Sequence, residues 1–235
     1  MRVLRLQGHS FVADWLSRDA IVVDLGATDG DFARDAIARF GCRVWAVEAV
    51  PELAERLKGR AGLVAEHAAV GGREGFVELR TFHGRYASAV LEAPTPLQGS
   101  VRVPATTLEA FLARHGLTRV DLLKVDIEGS ELEMFAATSD RTLQSCVQMT
   151  VEFHDFEDAA MAPRVREADA RLRALGFQRL AFTLDNSDVL YVNTAVHRVG
   201  WLSRLWMIPR YKYWTALVRR AGRLARRLAK RPHGQ

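Results

Sequence analysis

The chain has 235 residues, 49% of them hydrophobic, with 33 Lys and Arg against 28 Asp and Glu and two cysteines. That length and apolar share bury one full core, while two cysteines, Cys42 and Cys146, supply neither a disulfide framework nor a metal quartet. The charge is split: from Arg198 onward there are eleven Lys and Arg and no acid, so 22 basic residues stand against 28 acidic ones before that point. The last segment is therefore expected to have a partner of its own. Met1-Arg-Val-Leu-Arg is followed by His9, Ser10 and Asp14, which breaks any secretory apolar core. No apolar run reaches the roughly 18 residues of a spanning helix. A cytoplasmic protein is expected.

Ile21, Val22 and Val23 end in a carboxylate, Asp24, and a turn with Gly26 and Gly30 leads into a helix-like segment, 31–40. This is the pattern of a buried parallel strand feeding a helix through a loop whose backbone a ligand can approach. A second strand, 43–48, ends in Glu48, 22 positions after Gly26, where an acid can accept hydrogen bonds from two ribose hydroxyls. The loop Gly26-Ala27-Thr28-Asp29-Gly30 lacks the middle glycine of a dinucleotide fingerprint, and Asp29 puts negative charge where a pyrophosphate would approach. Asp24 and Asp29 suit a cationic ligand instead, such as the ammonium and sulfonium of S-adenosylmethionine. The expected cofactor contacts are Asp24, Gly26, Ala27, Asp29, Gly30, Glu48, Ala68 and Asp126.

Residues 63–70 read as a third strand, followed by a turn at Gly71, Gly72 and Gly75 and a short strand-like run, 76–82. The loop 83–100 carries Tyr86 and Ser88 as candidate substrate contacts. Residues 107–115 have the spacing of a helix face, stopped by Gly116. A fourth strand, 120–125, ends at Asp126; a helix spans 130–137; a fifth strand, 147–153, runs into Glu152-Phe-His154. A helix over 159–175 is closed by Gly176, and 177–184 with 189–192 form a terminal hairpin. The alternation predicts an α/β, Rossmann-like methyltransferase sheet, mostly parallel with a terminal antiparallel hairpin, over residues 1–197, followed by a basic tail, 198–235.

Asp24-Leu-Gly-Ala-Thr-Asp-Gly, Val47-Glu48 with Pro51, Val103-Pro-Ala-Thr-Thr-Leu108, Asp121-Leu-Leu-Lys-Val-Asp-Ile-Glu-Gly129 and Glu152-Phe-His154 resemble the FkbM family of S-adenosylmethionine-dependent methyltransferases. The resemblance runs from about residue 20 to 193 and is most specific from Asp121 to Glu131. It implies methylation of a hydroxyl, on a sugar or a polyketide. Thr28-Asp29 depart from the family loop, and the tail lies outside its pattern.

Asp24, Glu48, Asp126, Glu152 and His154 all fall at strand ends, where an open α/β sheet binds its ligand. Methyl transfer to an alcohol needs in-line approach, proton removal and exclusion of water. His154 is the first choice of base; its alternative is a strand-end histidine bonded to backbone. Glu152 either orients that imidazole or contacts the acceptor; alternatively it pairs with Lys124, which needs an anionic partner inside an apolar strand. Asp126 and Glu128 could share a divalent cation such as magnesium, or Asp126 faces the methyl donor or the acceptor while Glu128 opens the next helix.

In the tail, Trp214, Leu217, Val218, Ala221, Leu224, Ala225 and Leu228 recur on one helix face, with arginines on the others. Trp and Tyr at its entry suit an anionic membrane surface through residues 209–231. Packing on the body or a second subunit is the plainer reading, and nucleic acid a third, disfavoured by the acidic body. The sequence thus points to an O-methyltransferase of a sugar hydroxyl in a glycolipid or surface glycan, with a soluble tailoring enzyme of a polyketide or small metabolite as the rival. From another class stands an RNA-binding methyltransferase or module.

Overall fold

The computed structural model describes residues 1–82, 85–87, 99–155 and 159–197. Ser88 and the whole basic tail lie outside them, and of Tyr86 only the strand backbone is placed. The elements run β1 (Val3–Leu6), β2 (His9–Val12), β3 (Ile21–Leu25), α1 (Asp31–Phe40), β4 (Arg43–Glu48), α2 (Pro51–Leu57), β5 (Leu63–His67), β6 (Ala69–Val70), β7 (Gly75–Phe82) and β8 (Arg85–Ala87). They continue with β9 (Gly99–Thr106), α3 (Leu108–Arg114), β10 (Leu122–Val125), α4 (Glu131–Ala137), α5 (Asp140–Gln144), β11 (Gln148–Val151), α6 (Ala162–Ala174), β12 (Phe177–Ala181) and β13 (Val189–Asn193).

Seven strands form the central sheet in the order β12-β13-β11-β10-β3-β4-β5. β13 is antiparallel to both β11 and β12, and the other pairings are parallel. This is the expected class I methyltransferase sheet with its terminal antiparallel hairpin. Its strands are apolar on both faces because both faces are covered. Along β3, Val23 and Leu25 enter one core with Phe111, Leu123, Met149 and Phe153. Val22, pointing the other way, joins Phe11, Phe32, Ala33 and Leu190. α1 is bounded by glycines in the left-handed region, Gly30 at φ 75° and Gly41 at φ 68°. Thr107 caps α3 by accepting a hydrogen bond from the Ala110 N–H at 3.1 Å.

The single strand expected over 63–70 is two. β5 ends at His67, and after Ala68 the chain joins a second sheet, where β6 pairs with β9, β9 with β7 and β7 with β8. The segment 99–106, expected to be loop at its start, is a full strand there; Pro104 opposes Phe76 in the antiparallel β7–β9 ladder. The hairpin β1–β2 was not expected at all. It lays Phe11 and Val12 on the sheet core, and Gln148 clamps it by accepting from the Val12 N–H (2.8 Å) and donating to the Val12 carbonyl (3.2 Å).

Candidate active site

The parallel strands β3, β4, β10 and β11 bring their carboxyl ends to one edge of the sheet, and the predicted acids gather there. Gly26 is required by packing: at φ 75°, a Cβ would meet the Asp126 carbonyl oxygen at 1.8 Å. The first turn and the Asp126 loop are therefore in direct backbone contact. Thr28 takes a left-handed φ of 48° in that turn. Its N–H donates to Glu48 Oε2 at 2.7 Å, and Val50 N–H donates to Oε1 at 2.8 Å. Glu48 is thus a buried clamp on the turn. Burial pushes its carboxyl up, and these two backbone donors oppose that.

Five of the expected cofactor residues also have structural roles. Asp29 is 67% exposed and lies 3.7 Å from the equally exposed Arg56 of α2, a solvent-screened surface pair. Asp24 is fully buried and faces Lys124 at 3.1 Å, so this carboxylate is the lysine's counter-ion before it can be a ligand's. Neither Asp24 oxygen has a hydrogen-bond partner among the described residues. Ala27 and Ala68 are buried core residues that let the turn and β5 pack closely. Gly30 sits where a Cβ would meet Leu57 at 2.5 Å, again a packing requirement.

Lys124 is almost completely buried. It lies 3.1 Å from Asp24 and 3.4 Å from Asp126, and donates to the Gly26 carbonyl at 2.7 Å. The ion pair expected with Glu152 is replaced by these two partners, because β10 and β3 are adjacent in register and put Asp24 directly opposite Lys124. Burial lowers the ammonium's proton affinity, but the two aspartates more than offset it and the pKa is raised. Asp126 moves the other way. Burial raises it, whereas a hydrogen bond from His9 and the charges of Lys124 and His154 hold it well below the usual carboxylate range.

His154 Nδ1 is 2.9 Å from Glu131 Oε1; its Nε2 is 3.5 Å from Glu128 and 3.8 Å from Asp126. Burial disfavours the imidazolium, but the Glu131 hydrogen bond and the three acids outweigh it and lift the pKa to about 9. With its pKa lifted to about 9, His154 is mostly protonated near neutrality and would first have to release that proton to act as the base. Glu152 directly follows β11 at the same edge of the sheet. Burial and the charges of Asp126 and Glu128 raise its carboxyl, His154 and Lys124 partly compensate, and it reaches about 7. His154 also predicts a pH effect on stability. Its folded pKa lies above the unfolded 6.5, so its contribution is complete below about 6.5 and is lost as pH rises to about 9. At roughly 1.4 kcal/mol per unit, stability is expected to drop by about 2–3 kcal/mol across that window. Urea titrations at the two ends, in wild type and His154→Gln, check it: the variant should lose that dependence.

Glu131 was missed by sequence reasoning. It is fully buried, and its Oε1 accepts from the N–H groups of Ile127 and Gly129, both at 3.1 Å, as well as facing His154. Glu128 between them takes φ 52°, a conformation that costs a non-glycine residue about 1 kcal/mol or more and persists only when clamped. The only sequence signal was an acid in the first turn of α4. His9, on β2, was also missed: it is 1% exposed and its Nε2 lies 3.4 Å from Asp126 Oδ2. Ligating atoms of Asp126, Glu128 and His154 fall within 4.8 Å of one another, as do those of His9, Asp126 and Glu152. Both groups already balance imidazole against carboxylate.

Residues 24–179 match the family model described as "Methyltransferase FkbM domain". Over 100 residues the chain is 29% identical to the 31-O-demethyl-FK506 methyltransferase FkbM of Streptomyces tacrolimicus, covering 43% of this chain and 35% of that protein. Over 71 residues it is 34% identical to the AMB antimetabolite synthetase AmbE of Pseudomonas aeruginosa, covering 30% of this chain and 3% of that one. Both matches span well under two thirds of the relative's own length. Among solved structures, the Methanococcus jannaschii fibrillarin pre-rRNA processing protein aligns with TM-score 0.44 at 12% identity over 81% of this chain and 69% of that chain. The precorrin-6y C5,15-methyltransferase of Geobacter metallireducens GS-15 aligns with TM-score 0.41 at 12% identity over 75% and 81%. Since the matched span covers most of the chain and runs through every strand-end acid described above, the chain belongs to the FkbM methyltransferase family.

Proposed function

We propose that the protein is an S-adenosylmethionine-dependent O-methyltransferase acting on a sugar hydroxyl of a glycolipid or surface glycan. The observation that carries the reading is Glu152: a half-buried carboxyl at a strand end with its pKa at about 7 beside Asp126. A base whose pKa matches the working pH is what proton removal from an alcohol requires.

The family implies S-adenosylmethionine, and the residues fit it. Each Glu48 oxygen accepts one backbone N–H and keeps a lone pair for a ribose hydroxyl. Asp24 Oδ1 faces Lys124 at 3.1 Å, and its buried Oδ2 has no hydrogen-bond partner among the described residues. When bound, the cofactor supplies an activated methyl group. The chain's own residues then position the acceptor and handle its proton. Glu152 takes the hydroxyl proton. The His154 imidazolium, held by Glu131, keeps Asp126 and Glu128 oriented as acceptors for neighbouring hydroxyls of a polyol. Lys124 and His154 already supply positive charge beside Asp126; loss of activity with a chelator and its return with magnesium would instead make Asp126 and Glu128 metal ligands.

Labelled methyl donor incubated with the protein and a cell extract, followed by identification of the product, tests the substrate class. A labelled small metabolite in place of a glycan would favour the second reading, a tailoring enzyme, which the name of the Streptomyces relative supports. The tail, 198–235, would hold the enzyme at an anionic membrane surface; among the described residues no helix is long and apolar enough to cross a membrane. Retention on anionic vesicles, lost on deleting residues from Pro209 onward, tests that part.

For the cofactor, Glu48→Ala is expected to weaken S-adenosylmethionine binding by about 1.5–3 kcal/mol, the range for losing hydrogen bonds to a charged group. Unchanged affinity in calorimetry would remove Glu48 from the site, and tighter binding of NAD than of the methyl donor would overturn the class.

A further inference from the structure

We propose that the hairpin β1–β2 is part of the catalytic centre and that His9 is a positioning residue for Asp126, an inference that rests on the methyltransferase reading above. The family match begins at residue 24, so it does not cover this hairpin. His9 is 1% exposed, and its Nε2 meets Asp126 Oδ2 at 3.4 Å. Its Nδ1 is buried with no partner among the described residues. A proton on Nδ1 would bury an unsatisfied N–H and set a bare lone pair against the carboxylate. The proton therefore belongs on Nε2, which donates to Asp126.

That donor completes a three-way hold on one carboxylate. Oδ2 faces His9 and Lys124, each at 3.4 Å, and Oδ1 faces His154 at 3.8 Å. Asp126 in turn is one of the charges that raise Glu152, so its rotamer sets the field at the base. The hairpin itself is fixed rather than merely laid on the sheet. Asp188, fully buried, accepts from the Ser10 N–H at 2.9 Å and the Ser10 hydroxyl at 2.7 Å, and pairs with Arg5 at 3.0 Å. Phe32 packs edge-on against the His9 ring at 5.9 Å, which fixes the imidazole plane. Two buried polar anchors and an aromatic contact thus deliver one imidazole nitrogen to the strand-end acids. A histidine that only filled the core would need none of the alignment on Asp126.

Nitrogen-15 histidine spectra of the full chain read the coupling directly, in wild type, Asp126→Asn, His9→Gln and His9→Leu. His9 is expected to carry its proton on Nε2, and its signals are expected to shift in Asp126→Asn. The His154 titration is expected to move in His9→Leu and to return in His9→Gln, whose amide can donate from nearly the same place. Methyl transfer to a panel of methyl glycosides should fall at least about tenfold in His9→Leu and recover most of its rate in His9→Gln, because small misplacements at a reacting centre have large effects. His9 signals indifferent to Asp126→Asn, or equal His154 titrations in His9→Gln and His9→Leu, would overturn the proposal; the first two samples suffice if His9→Leu does not fold. Calorimetry on wild type separates the two readings: no S-adenosylmethionine binding there would overturn the catalytic assignment while leaving the His9–Asp126 contact intact.

Discussion

Replacing Glu152 with glutamine is expected to lower methyl transfer by about 10²- to 10⁴-fold, the range for loss of a general base. Binding of S-adenosylmethionine should survive, because the proposed donor contacts lie at and just after β3 and β4 while Glu152 follows β11. The pH profile carries the same information. With Glu152 at about 7 and His154 at about 9, activity should rise as pH passes 7, when the base loses its proton, and fall beyond 9, when the imidazolium does. The variant should lose the lower limb and gain stability in alkaline solution. A carboxyl raised above its unfolded value stabilises the fold fully only below that value, about 4.5, and less as pH rises through 7. A glutamine enzyme that keeps more than about a tenth of wild-type turnover would show that proton removal lies elsewhere. A wild-type profile flat from pH 5.5 to 8 would do the same.

Much of this site was legible because strand ends are legible. Asp24, Glu48, Asp126 and Glu152 each close an apolar run, and such runs must be the buried parallel strands whose carboxyl ends form the crevice. What the pattern could not provide was pairing between strands. Lys124 was recognised as needing an anion, but the choice among Asp24, Asp126 and Glu152 depends on which strands are neighbours and in which register. Only the fold puts Lys124 opposite Asp24. The raised pKa of His154 was out of reach for a related reason: the sequence around it says nothing of Glu131, which arrives from the start of α4 and meets its Nδ1. The surface pair of Asp29 with Arg56 of α2 was equally invisible, because it depends on how the turn at the left-handed Thr28 sits beside that helix. His9 carried no signal, since a four-residue strand before the first glycine turn looks like an ordinary lead-in.

Lys124→Met is expected to destabilise the fold by about 3–5 kcal/mol, because removing one member of a buried ion pair leaves its partners charged and unpaired. Asp24 would then sit fully buried with no counter-ion, and the Gly26 carbonyl would lose the donor 2.7 Å away. Urea unfolding gives the number; a loss below about 1 kcal/mol would mean that water or relaxation meets the need and the triad is not a structural unit. The double variant Lys124→Met with Asp24→Leu should recover most of that stability, since an apolar pair of similar size often matches a buried ion pair. Function should not return with it. Among the described residues, Lys124 ties Asp24, the Gly26 carbonyl of the glycine turn and Asp126 together. A refolded double variant would keep the sheet but release both loops from that common point. Its S-adenosylmethionine affinity and its turnover should therefore both stay low at wild-type stability. Restored turnover alongside restored stability would mean that the lysine serves the fold alone.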